Sequence, residues 1–134
     1  LDGRELPDHI DMVKNLPCPL VIDHVGKFLE PVPVENETFQ MMLSLVENGA
    51  WVKLSAAYET SKVGPPNFDD VGALAKAFIA AAPEHMLWAS NWPHPGQDPR
   101  PDDAILVDTL LSWVESDALR QKILVDNPAE LYGF

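Results

Sequence analysis

Three short apolar runs, Leu20-Val21-Ile22, Trp51-Val52-Lys53-Leu54-Ser55 and Met86-Leu87-Trp88, each follow a stretch whose hydrophobic residues recur at helical spacing. Each run stops in polar residues, glycine or proline. Short runs of branched or bulky apolar residues suit strands of a parallel sheet covered on both faces, and the helical stretches between them supply the crossovers. Leu6-Pro7 followed by Asp8, Ile10, Met12 and Val13 predicts a first helix, closed by Pro17-Cys18-Pro19. Phe39, Met42, Leu43 and Val46 predict a second, stopped by Asn48-Gly49, and Val71, Leu74, Phe78 and Ala82 a third, stopped by Pro83. Beyond the third strand, Ile105, Leu106, Thr109, Leu110 and Trp113 mark a longer helix. Asp117 is expected to cap another with Leu119, Ile123 and Leu124 inward, and Asn127-Pro128 to open a last one that Gly133 ends.

The order helix, strand, helix, strand, helix, strand, helix implies right-handed crossovers and a parallel sheet with flanking helices. Three strands cannot close a barrel, and a closed (β/α) barrel takes eight strands and roughly 250 residues. A chain of 134 residues is therefore expected to be the C-terminal half of a (β/α)8 barrel, forming one domain over residues 1–134, with a small open α/β domain as the alternative. It begins at Leu1 without a methionine, which reads as an excision from something longer. An open half barrel leaves strand edges and apolar faces uncovered, so the missing N-terminal half or self-association is expected to cover them.

The net charge of −12, with nine Lys and Arg scattered along the chain, repels nucleic-acid phosphates and anionic lipid. No run approaches the roughly 20 apolar residues of a membrane helix. The single cysteine, Cys18, excludes an internal disulfide and a cysteine-rich zinc site; flanked by prolines, it reads as structural and fits a cytoplasmic, reducing setting. A small-molecule substrate remains as the expected partner.

Candidate chemistry gathers where the strands end, because the C-terminal mouth of barrel strands is where such enzymes place reacting groups. His24 follows the first strand and titrates near neutrality. Asn91 lies in Trp88-Ala89-Ser90-Asn91-Trp92-Pro93-His94-Pro95, a polar position between two tryptophans and before a proline-bounded turn. Tyr58 can donate a hydrogen bond from the second strand's end, His94 either reaches the site or serves as a post fixed by Pro93 and Pro95, and Lys27, Lys53 and Arg100 can meet a substrate carboxylate. His9 and His85 are expected on the surface, far from the mouth. Ser55 has no Gly-X-Ser-X-Gly elbow around it, and phosphate-binding glycine loops are absent.

Four segments, Val21-Ile22-Asp23-His24-Val25-Gly26-Lys27, Trp51-Val52-Lys53-Leu54-Ser55-Ala56-Ala57-Tyr58, Leu87-Trp88-Ala89-Ser90-Asn91-Trp92-Pro93-His94-Pro95 and Asn127-Pro128-Ala129-Glu130-Leu131-Tyr132-Gly133-Phe134, occur in this order. Together they resemble the amidohydrolase 2 family of barrel hydrolases, in the branch with the 2-pyrone-4,6-dicarboxylate lactonases. The resemblance covers nearly the whole chain. It implies a hydrolase that opens a lactone by water attack, with His24 and Asn91 catalytic; Lys53, Tyr58 and His94 are expected to bind substrate from their places at the strand ends. His24 matches the family's late-strand histidine, which polarises the carbonyl or binds a metal depending on the branch. The family's His-X-His pair would lie upstream of Leu1.

Two positions depart from the family pattern. Asparagine stands at 91 where the family has an aspartate acting as base or metal ligand, and an amide takes up no proton at neutral pH. This leaves a natural branch with another base, a silenced variant, or a substitution made to trap substrate. Glu59 stands where an arginine would suit a doubly charged substrate, and a carboxylate there repels a dicarboxylate. No tightly bound metal is expected from this chain by itself, since His24 and Asn91 would hold an ion poorly, whereas a divalent metal such as zinc is allowed for in the complete protein. The contrasting expectation is a non-catalytic half-barrel module that binds a ligand or partner.

Overall fold

A computed structural model describes residues 2–134. Three parallel strands, β1 (Val21–Ile22), β2 (Trp51–Leu54) and β3 (Met86–Trp88), form one sheet in the order β1-β2-β3. Val21 pairs with Trp51 and Ile22 with Val52, while Val52, Lys53 and Leu54 pair with Met86, Leu87 and Trp88. Helix α1 (Leu6–Lys14) precedes β1, α2 (Glu37–Glu47) and α3 (Asp69–Ala81) make the two crossovers, and α4 (Asp103–Trp113) follows β3. Each helix in the series α1 to α4 packs against the next, so they form a row beside the sheet.

Alternation along β2 explains the layer. Val52 and Leu54 are buried in the core shared with the helices, while Lys53, between them, is half-buried. The helices contribute Phe39, Met42 and Val46, then Val71, Leu74, Ala75 and Phe78, then Leu110 and Trp113. Phe39 is fully buried, and its ring centroid lies 4.8 Å from that of Phe78 and 6.0 Å from that of Phe28. Helix starts follow the sequence: Asn36 accepts from the backbone of Thr38 and Phe39 to cap α2, and Asp102 accepts from Ala104 to cap α4. Gly72 lets α3 and α4 touch, since a β-carbon there would stand 2.7 Å from the Trp113 indole nitrogen.

The C-terminal region departs from the reading of the sequence. Ser116, not Asp117, caps α5 (Asp117–Gln121), because its shorter side chain accepts from Leu119 N while Asp117 pairs with Arg120. Helix α5 continues through a π-helical segment (Lys122–Asp126) into α6 (Asn127–Tyr132), so Asn127 opens no separate helix. The insertion turns Ile123 inward and leaves Leu124 exposed. Asn127 is buried instead, and its amide donates to the carbonyls of Pro83 and Met86 at 2.8 and 2.7 Å. It pins the start of β3 to the last helix. Arg120 similarly donates to the carbonyls of Leu111 and Val114 and so satisfies the C-terminal end of α4.

Cys18 is exposed and fills no core position. His9 and His85 are half-buried rather than superficial; His85 bonds the Val46 carbonyl through Nδ1 at 3.0 Å and leans on Trp51. No helix among the described residues is long and apolar enough to cross a membrane.

Candidate active site

All three strands are parallel, so the residues that follow them come together at one end of the sheet. The chain turns sharply there. Among the described residues, seven other than glycine have positive φ, and six of them, His24, Val25, Lys27, Ala56, Asn91 and His94, follow directly on the three strands. Left-handed backbone costs an ordinary residue about 1–2 kcal/mol, and a branched one such as Val25, at φ 53°, is an outlier. Such strain persists where surrounding contacts over-determine it, and it gathers at functional sites. Gly26 at φ +83° completes the first turn; a β-carbon there would stand 2.5 Å from Met42 Sδ.

The β1 side of this rim is open. His24 Nδ1 lies 2.9 Å from Ser55 Oγ, and Nε2 has no hydrogen-bond partner among the described residues. Burial holds the His24 pKa below its ordinary value of 6.5, against the opposing pull of Glu59 and Asp23, so the ring is neutral at pH 7. Lys53 Nζ pairs with Asp23 at 2.9 Å. These residues, with Ala89, Ser90, Asn91 and Trp92, line a cavity of about 340 Å³. A larger cavity of about 460 Å³ runs beside α1 and β1 and shares Asp23 and His24, but Leu6, Val13, Leu20, Met42 and Leu45 make much of its lining apolar. The smaller one has the more polar lining in proportion.

The β3 side is closed by a continuous polar chain. Lys27 Nζ pairs with Glu59 Oε2 at 2.8 Å, and Asn91 Nδ2 donates to Glu59 Oε1 and to the Tyr58 hydroxyl, each at 2.9 Å. Tyr58 meets His94 Nδ1 at 2.9 Å, and His94 Nε2 lies 3.2 Å from Asp103 Oδ1. His94 is only 3% exposed. Burial raises the Tyr58 pKa above its ordinary 10.0, so the phenol keeps its proton at rest.

The structure thus brings His24, Lys53 and Asn91 to one cavity and links Tyr58 and His94 to it through Asn91, with His94 behind Tyr58 rather than on the cavity wall. Arg100 is exposed in the loop before α4. Reading the sequence missed Asp23, Asp103 and the partnership of Glu59 with Asn91. Glu59 carried a signal, as a carboxylate in an unexpected place. Asp103 carried none, since an acidic residue beside the Asp102 cap is ordinary helix chemistry.

These groups do not fit a metal ion by themselves. His24 Nδ1 is engaged by Ser55, Asp23 is neutralised by Lys53, and the Asn91 amide nitrogen faces its partners. No group of three or more His, Cys, Asp or Glu among the described residues is placed to hold an ion.

Comparison with known proteins agrees with this fold. A D-galactarolactone isomerase of Agrobacterium fabrum is 34% identical over 98% of this chain and 46% of its own length. A 4-sulfomuconolactone hydrolase of Rhizobium radiobacter is 39% identical over 92% of this chain and 42% of its own. A 2-pyrone-4,6-dicarboxylate hydrolase of Comamonas testosteroni is 33% identical over 98% and 46%. A crystal structure of an Agrobacterium tumefaciens protein without ligand superimposes with a TM-score of 0.90 at 32% identity, covering all of this chain and 48% of that one. The chain spans about half the length of the curated relatives it matches, as a half barrel does of a whole one. The family model described as amidohydrolase matches residues 1–134, and the chain belongs to that family.

Proposed function

We propose that the protein carrying this chain hydrolyses a lactone by attack of water on the cyclic ester. The observation that carries the reading is the convergence of His24, Lys53 and Asn91, from the ends of three different strands, on one polar cavity. A lactone hydrolase has to polarise the carbonyl, hold the attacking water and bind the ring substituents. His24, neutral and free at Nε2, polarises the carbonyl. Asn91 has both amide hydrogens committed to Tyr58 and Glu59, so its carbonyl oxygen is left to hold the water. Lys53 binds a polar group of the substrate, and Tyr58 stands behind Asn91 with its hydroxyl held by Asn91 and His94. A divalent ion such as zinc would need ligands besides His24 and Asn91, and no step here passes through one.

The relatives named as lactone enzymes support the substrate class, and one of them is an isomerase. The outer edges of β1 and β3 carry no strand partner among the described residues. They are to be covered by an N-terminal half barrel or a second copy of the chain.

The test supplies lactones to the full-length protein with Asn91 and with Asn91→Asp, follows acid release in a pH-stat and weighs the product. A hydroxy acid heavier by one water supports hydrolysis, whereas a lactone of unchanged mass shows isomerisation. No turnover by either form favours the binding module.

A further inference from the structure

The polar chain on the β3 side has a fixed direction. Glu59 is a carboxylate and can only accept, so the Asn91 atom 2.9 Å from it is the NH₂ group. The second hydrogen of that group goes to the Tyr58 oxygen, also at 2.9 Å. His94 Nε2 faces the Asp103 carboxylate at 3.2 Å, which can only accept, so that nitrogen carries a proton, and in the neutral ring Nδ1 is then the acceptor of the Tyr58 hydrogen at 2.9 Å. Hydroxyl, imidazole and carboxylate stand in the order that activates the hydroxyl in nucleophile–base–carboxylate triads, here with a phenol in the first place. Burial of His94 keeps water from competing for either ring nitrogen. Asp103 sits in the first turn of α4.

Resting on the lactone-hydrolysis reading, we propose that Tyr58 handles the proton of the attacking water, with His94 as its reservoir and Asp103 orienting His94, and that asparagine at 91 is what this relay requires. A proton leaves water for the Tyr58 oxygen as the Tyr58 proton moves to His94 Nδ1, and the hydroxide forms its bond to the carbonyl carbon. When the tetrahedral species collapses, the ring C–O bond breaks and the His94 proton returns through Tyr58 to the leaving oxygen. The sum is water plus lactone giving a hydroxy acid, with nothing else consumed. The Asn91 N–H stabilises the charge that passes over the Tyr58 oxygen. A carboxylate at 91 would oppose that charge and face Glu59 as well, so residue 91 is not the base in this chain.

The groups facing the relay are Glu59 from the loop after β2, Lys27 through Glu59, and Asp103 from α4. Histidine nitrogens of the ¹⁵N-labelled full-length protein, read without substrate, decide the resting state. The signal moved by Tyr58→Phe is expected to be the neutral Nε2–H tautomer, and an Nδ1–H tautomer overturns the relay. In turnover, Tyr58→Phe is expected to lower kcat about 100-fold or more with KM little changed. Asp103→Asn, at a half-exposed position, is expected to lower kcat roughly tenfold and shift the acid limb of its pH profile, which a merely structural role would leave in place. Asn91→Asp is expected to be the slower form; faster turnover by the aspartate form, or full turnover by Tyr58→Phe, overturns the proposal. If the unmodified protein opens no lactone, the hydrolysis reading fails and the relay with it, whereas an Nδ1–H tautomer in a protein that does open one overturns the relay alone.

Discussion

On the β1 side of the rim, His24 is half-buried, has one partner and faces a cavity, whereas on the β3 side His94 is sealed and held at both nitrogens. The two residues have the same side chain and the same station just past a strand, and both lie in left-handed backbone. What separates them is what packs around them. An imidazole with a nitrogen left over is available to a substrate, while one with both nitrogens spent transmits a constraint from one neighbour to another. The rim thus divides into a face open to a cavity and a sealed hydrogen-bonded network beside it.

The largest expected break in this comparison is His94→Ala. It opens a cavity and leaves the Tyr58 hydroxyl without its acceptor, and urea denaturation should show a loss of about 2–4 kcal/mol. The same change at His24 removes a half-exposed ring with one partner and should cost under about 1 kcal/mol while abolishing turnover. Equal losses at the two sites would dissolve the distinction.

A smaller effect comes from pH. The pKa of His24 in the folded chain lies below the unfolded value near 6.5 because burial disfavours its charge. The unfolded chain therefore binds the proton first as pH falls. His24's contribution is complete above the unfolded pKa and is lost as pH drops through the folded one. Urea midpoints at pH 7 and pH 5 should differ more for the wild type than for His24→Gln. The least effect is expected where neither side of the rim is touched: Lys62 and Glu30 pair at 3.2 Å with both side chains more than half exposed, and Lys62→Met should change stability by no more than about 0.5 kcal/mol.

The sheet, its parallel order and the helix row were legible because each depends on spacing along one segment: an apolar run for β2, a three-to-four repeat in Phe39, Met42 and Val46. The C-terminal helices were less so, since a π-helical insertion shifts the repeat without any residue that announces it, and Leu124 and Asn127 exchanged their expected environments as a result. For the site, the sequence pointed to His24, Asn91, Lys53, Tyr58 and His94, which the fold gathers at one end of the sheet. It could not show the direction of the hydrogen bonds among them, because that depends on Glu59 and Asp103 arriving from separate loops and helices. Nor could it show left-handed backbone at Val25, where the residue type argues against it and only the surrounding packing enforces it.

The carboxamide of Asn127 grips Pro83 and Met86 from the last helix, so the placement of β3 is decided at the strand's N-terminal end, away from the loops that bear the polar chain. Strand placement and loop content are thereby heritable separately. Descendants of such a chain could rewrite the rim for another ring without disturbing where Asn91 is aimed, whereas a change in the tail would redirect every version of the rim alike.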